Sequence, residues 1–144
     1  MCFNGGVEGW RTFDHTGDLG LEVWAASPER LFGLAAEALL ALVIETTGRP
    51  PERSARLSLE GDDPADLLVH WLNSVLLEAE VRQVVWTRAN IERLEPRALQ
   101  GLLEGVDRDV TRQTFLREIK AVSHHDLFLR LDPPECRCRL VLDI

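Results

Sequence analysis

His15-Thr16-Gly17-Asp18-Leu19-Gly20-Leu21-Glu22-Val23-Trp24-Ala25-Ala26-Ser27-Pro28-Glu29 holds a bend, a strand and a helix start in one run. Leu19, Leu21, Val23 and Ala25 alternate with Gly20, Glu22 and Trp24, the period of two that sets one face of a strand on a core. Asp18 falls in phase with Glu22, on the more polar side. Gly17 and Gly20 predict a bend that aims Asp18, because glycine admits backbone angles and close approaches closed to other residues. At the other end of the run Ser27 can cap a helix, Pro28 has the angle of a first helical position, and Glu29 suits the positive end of the dipole. Leu31, Leu34, Ala35, Ala38 and Leu42 then recur at helical spacing to about Ile44, and Gly48-Arg49-Pro50-Pro51 is expected to stop the helix.

Outward from this run, Trp10–Phe13 predicts a short first strand and Ala55–Glu60 a third. Asp63-Pro64 repeats the helix-start device, and Leu67, Leu68, Trp71, Leu72, Val75, Leu76 and Ala79 mark a second amphipathic helix ending near residues 80–82. His70 and Asn73 lie on that helix and are expected to flank the core. Val84–Thr87, Ile91–Leu94 and Ala98–Val106 predict further strands, and Asp107–Phe115 a connecting loop. Glu118–Ser123, Leu127–Leu131 and Cys136–Leu142 are three more strand candidates, the last two joined by Asp132-Pro133-Pro134-Glu135 as a hairpin. In the final strand Cys136, Cys138, Leu140 and Leu142 share one face, and Arg137, Arg139, Val141 and Asp143 the other. Strands, helix, strand, helix and then a run of strands is not the alternation of a doubly wound sheet. The expected class is α+β: a mainly antiparallel β-sheet with two amphipathic helices packed on one face, in a single domain over residues 1–144.

A chain of 144 residues fits one core, which at this size buries about two-thirds of the unfolded surface. No stretch is long and apolar enough to span a bilayer, since Leu31–Ile44 is short and interrupted by Glu37. Met1–Gly9 lacks the basic start and apolar run of a secretory signal, so a cytoplasmic protein is expected. The net charge of −8 argues against a broad phosphate-binding face and against strong nucleic-acid binding. An acidic protein working near RNA is expected to touch a basic enzyme instead. Cys2 stands alone, and Cys136 with Cys138 gives only two zinc ligands, so buried free thiols are the expectation.

The chemistry-bearing residues lie at the two ends. His15, Thr16 and Asp18 cluster at the bend, and Val141-Leu142-Asp143-Ile144 ends the sequence with an aspartate beside a terminal carboxylate. If the two segments meet, Asp18, Asp143 and Ile144 supply the oxygen donors that a hard divalent cation takes. Solvated acids at a turn and at a chain end are the plain alternative. His15 is expected to orient Asp18 or cap the turn, and Lys120 either lays its stem on apolar surface or contacts the site.

Four motifs in order, Asp14-His15-Thr16-Gly17-Asp18-Leu19-Gly20, Trp71-Leu72-Asn73, Ile119-Lys120-Ala121-Val122-Ser123-His124-His125 and Leu142-Asp143-Ile144, make the chain resemble the archease family from about Trp10 onward. The resemblance implies an accessory protein that activates an RtcB-type RNA ligase in tRNA splicing or RNA repair. It would promote guanylylation of the ligase and repeated turnover, without catalytic activity of its own. It also implies a divalent metal, Ca²⁺, Mn²⁺ or Mg²⁺, on Asp18, Asp143 and a main-chain or terminal oxygen of Ile144. His15, Thr16, Lys120 and His125 would then contact the partner or support the ligands. Gly17 stands for the family's usual alanine, and Ser123-His124-His125 replaces threonine-tyrosine-histidine, so a tyrosine phenol is missing. His70 stands where an acid is frequent and carries no assigned role. The rival classes are a stand-alone metal-dependent phosphoesterase built on Asp18, Asp143, His15 and His124 or His125, and an acidic interaction module that needs no metal.

Overall fold

The computed structural model describes residues 7–46 and 48–144; Cys2 and most of the Met1–Gly9 segment lie outside them. The first hairpin is β1 (Gly9–His15) and β2 (Asp18–Ala25), paired from Gly9 with Trp24 to His15 with Asp18. Only Thr16 and Gly17 form the turn, and Gly17 has φ of 74°, the left-handed backbone that glycine reaches without strain. Gly20 serves a different purpose from the expected bend. It sits inside β2, and a Cβ there would lie 2.3 Å from the Phe13 ring, so it is a close-approach glycine.

Both helices begin where their caps predict. α1 (Pro28–Val43) is capped by the Ser27 hydroxyl, which accepts the Arg30 N–H at 3.1 Å, and α2 (Pro64–Arg82) by the Asp63 carboxylate, which accepts the Asp66 N–H at 2.8 Å. The end of α1 differs from expectation. Ile44 is already extended and opens β3 (Ile44–Thr46), which pairs with β7 (Gln113–Phe115) inside the stretch expected to be a loop. Two three-residue strands almost seventy positions apart carry no periodic signal of their own, and their pairing ends the helix before Gly48.

The other strands are β4 (Arg53–Glu60), β5 (Val84–Glu95), β6 (Ala98–Asp107), β8 (Ala121–Arg130) and β9 (Cys136–Asp143). The two expected segments at 84–87 and 91–94 are one strand with two register shifts. The segments at 118–123 and 127–131 likewise merge into β8. The structure is α+β and antiparallel, as expected, with the strands divided among a four-stranded sheet in the order β1-β2-β9-β8, a three-stranded sheet β4-β6-β5 and the β3-β7 ribbon. α1 packs on β2 and β5, and α2 on β8, β4 and β5, so the helices tie the two larger sheets together.

The core is where the alternation places it. Leu21, Val23, Cys138, Leu140 and Leu142 on the inner face of the four-stranded sheet are fully buried with Leu31, Phe32, Trp71 and Trp86, each large aliphatic side chain contributing about 1.5–3 kcal/mol. Glu37, which breaks the apolar run of α1, is paired with Arg30 at 3.2 Å and accepts the Ala89 N–H at 3.0 Å. No helix among the described residues is long and apolar enough to cross a membrane.

Candidate functional site

The outer face of the four-stranded sheet is a grid that the registers define. Its rows run Gly9, Trp24, Arg137, Arg130; then Arg11, Glu22, Arg139, Phe128; then Phe13, Gly20, Val141, Ser123. The last row begins with the pair His15 and Asp18 and ends with the pair Asp143 and Ala121. Leu19 pairs with Leu142, so one further step in the same register sets Asp18 beside Asp143. The bend and the final residues therefore do meet, on adjacent strands and on the polar face.

A long bulge completes this end. Ser123 pairs with Val141 and Phe128 with Arg139, so residues 124–127 stand against Leu140 alone. Such an insertion bends a strand and redirects its side chains. Asp126 takes positive φ, 54°, which aspartate tolerates better than most residues. Its carboxylate oxygen Oδ2 lies 3.2 Å from His15 Nε2 and 3.2 Å from His125 Nε2, and the two rings meet edge to face with centroids 6.2 Å apart. His124 turns the other way, to Asp66 in the first turn of α2 at 3.0 Å. The Asp66 carboxyl is held below its usual range by the Asp62 backbone N–H and by His124.

A carboxylate can only accept, so His15 donates from Nε2 to Asp126 and leaves Nδ1 facing Asp18 Oδ2 at 3.9 Å. That Nδ1 is buried without a hydrogen-bond partner. A lone pair aimed at an acid is unfavourable unless a cation or a proton stands near, and a histidine that donates its other N–H to a carboxylate is the usual arrangement beside a metal. Among the described residues no three His, Cys, Asp or Glu side chains converge as a metal cage by themselves. Asp18 and Asp143 would need an oxygen from Ile144, which is half exposed, or the His15 nitrogen. The donor set suits a hard cation partly open to a partner.

Of the other predicted residues, Thr16 is exposed at the turn tip and His125 at the bulge. Lys120 is exposed, and its backbone N–H donates to the Asp143 carbonyl at 2.8 Å, tying the last strand in place. Asn73 and His70 are structural. The Asn73 amide donates to the Val122 carbonyl at 3.1 Å and accepts its N–H at 2.8 Å, and His70 Nδ1 donates to the Glu60 carbonyl at 2.8 Å. Asp126 was not anticipated. Its signal was the break in alternation at Ser123-His124-His125-Asp126, taken as a gap between strands. Cys136 and Cys138 are buried free thiols as expected, and burial pushes Cys138 up to about 12.

Known proteins share this architecture. The solution structure of Methanobacterium thermoautotrophicum protein 1598 superimposes with a TM-score of 0.76 at 22% identity, covering 94% of this chain and 99% of the other. The crystal structure of a Thermotoga maritima protein, described as an archease and possible chaperone, gives 0.63 at 20% identity over 93% and 96% of the two chains. In sequence, the protein archease of Methanopyrus kandleri is 28% identical over 138 residues, 94% of this chain and 99% of that one. The archease of Methanosarcina mazei is 27% identical over 91% and 92%. The model of the Archease protein family (MTH1598/TM1083) matches residues 10–144, nearly the whole length, and the chain belongs to that family.

Proposed function

We propose that this chain is an accessory protein that activates an RtcB-type RNA ligase, promoting its guanylylation and repeated turnover through a divalent cation held at the β1–β2 bend. Membership of the archease family supports the accessory role. The observation that carries the site is the buried, unpartnered His15 Nδ1 facing Asp18, on the row of the sheet that Asp143 closes. Asp18, Asp143 and an oxygen of Ile144 would hold the cation, with His15 and Asp126 fixing the Asp18 side. A bound cation would supply charge neutralisation for phosphoryl transfer in the partner's active site. The residues of this chain do the positioning. Lys120 holds the last strand by its backbone, the bulge holds His15, and Thr16 and His125 stand exposed at the rim to meet a basic cleft.

Multiple-turnover RNA ligation by the cognate ligase, with this protein or its Asp143→Ala variant, tests the proposal. Stimulation by the native chain and its loss in the variant are expected, together with calorimetric binding of Mn²⁺ or Ca²⁺ that the variant lacks. A chain that leaves ligation unchanged overturns the ligase assignment. Stimulation that survives Asp143→Ala and chelator overturns the metal and leaves the acidic tip acting alone. Phosphoester hydrolysis by the purified protein would instead make it an enzyme.

A further inference from the structure

We propose that the outer face of the β1-β2-β9-β8 sheet is a platform for single-stranded RNA. This face segregates charge. Its far row holds Asp18 and Asp143, whereas the two rows at the opposite end hold Arg11, Arg130, Arg137 and Arg139. Six residues of β9 separate Asp143 from Arg137, about 20 Å of extended strand. The chain's net charge of −8 sums over surfaces that the fold keeps apart.

The arginines are organised. Glu22, 5% exposed, is the one charged residue of the buried set, and it pairs with Arg11 at 2.7 Å and with Arg137 at 3.0 Å. One carboxylate thus fixes two guanidinium groups and leaves each with N–H donors free. Arg139 lies 4.4 Å over the Phe13 ring and pairs with no carboxylate among the described residues; Arg137 lies 5.8 Å over Trp24. Arg130 and Arg137 are direct cross-strand partners, a like-charge pairing that weakens a sheet unless an anion meets it. Asp132 answers only Arg130, from an exposed position.

The aromatic content favours RNA over an acidic protein segment. Phe128, 47% exposed, stands beside Arg139, and the guanidinium planes stacked on Phe13 and Trp24 turn a second flat face outward. Bases stack on such rings and planes, while phosphates take the free N–H donors. Carboxylate side chains would use the charges and leave the flat surfaces unused. No described element covers this face, since both helices pack on the other. The inference stands apart from the ligase assignment, because it concerns the chain alone.

The test is fluorescence anisotropy of a labelled oligouridylate of about 12 nucleotides with the purified chain, in chelator so that the acidic end holds no metal. For four phosphate contacts the expected log–log salt slope is about −3, a loss of roughly fifty-fold between 50 and 200 mM salt. Arg130→Ala with Arg139→Ala should weaken binding at least tenfold and reduce the slope to about −1.4. Both side chains are exposed and neither supports Glu22, so the fold should be kept, which circular dichroism checks. Arg130→Lys with Arg139→Lys should restore the slope. Absence of salt-sensitive binding, indifference to the double alanine variant, or equal competition by a poly-glutamate peptide of the same charge each overturns the proposal, the last in favour of an acidic protein partner.

Discussion

At Gly20 a single hydrogen atom decides the packing of the outer face. The Phe13 ring crosses the glycine, and Arg139 lies on the ring, so a methyl group at residue 20 must push both away. Gly20→Ala should cost about 1–3 kcal/mol in urea denaturation, the range of overpacking. Combining it with Phe13→Ala should recover part of that loss, since the clash is between these two groups alone; strictly additive effects would show that the glycine matters for another reason. Cys138 tests the inner face. Its thiol is raised from the ordinary range to about 12 because burial penalises the thiolate. The unfolded chain ionises this thiol near pH 9 and the folded chain does not. Its contribution is therefore complete below about pH 9 and is lost as pH rises toward 12. Thiol reagents at pH 8 should label the native protein at Cys138 only through unfolding, at a rate that tracks denaturant. The alternation Cys136, Cys138, Leu140, Leu142 made this face legible from residue types. The Phe13–Gly20 contact was not, because it depends on which residue of β1 stands opposite β2.

Among the elements, helix starts were legible and strand irregularities were not. Ser27-Pro28 and Asp63-Pro64 are devices whose donors and acceptors lie within three residues of each other, so local sequence suffices to find them. The end of α1, the β3-β7 ribbon and the bulge of β8 depend on partners tens of residues away. β8 is an edge strand, and an edge needs its outward backbone groups satisfied. Asn73 of α2 does this for Val122, meeting its carbonyl and its N–H with one amide, just before the bulge that carries His125 and Asp126. The tryptophan-leucine-asparagine run thus supports the site through backbone, without facing it. Asn73→Ala should cost about 1–3 kcal/mol, since two backbone groups lose their partner. Hydrogen exchange should rise first at Val122 and through the bulge. Equal protection there in both proteins would mean that water replaces the amide without consequence.

For the whole molecule the controlling feature is that its second strand and its last strand are neighbours, which brings Asp18, Asp143 and Ile144 to one corner of the sheet. The residue types at that corner were readable from the sequence, and so was their oxygen chemistry. The role of Asp126 in holding His15 needed the fold. Crowded carboxylates make opposite predictions for the two states of the protein. Without a cation they repel, so Asp143→Asn should leave the metal-free chain as stable as the native one or slightly more so, most clearly at low ionic strength. With Mn²⁺ at about a hundred times its dissociation constant, the native chain should gain about 2.7 kcal/mol, roughly 8 °C in melting temperature for a domain of this size. Asp143→Asn and Asp18→Asn should each lose that gain, and His15→Ala should reduce it if Nδ1 faces the ion. Melting curves with chelator and with Mn²⁺ separate the cases. A variant destabilised equally in both conditions would show that the acid serves the sheet, and a native chain whose melting ignores Mn²⁺ would remove the cation from the corner.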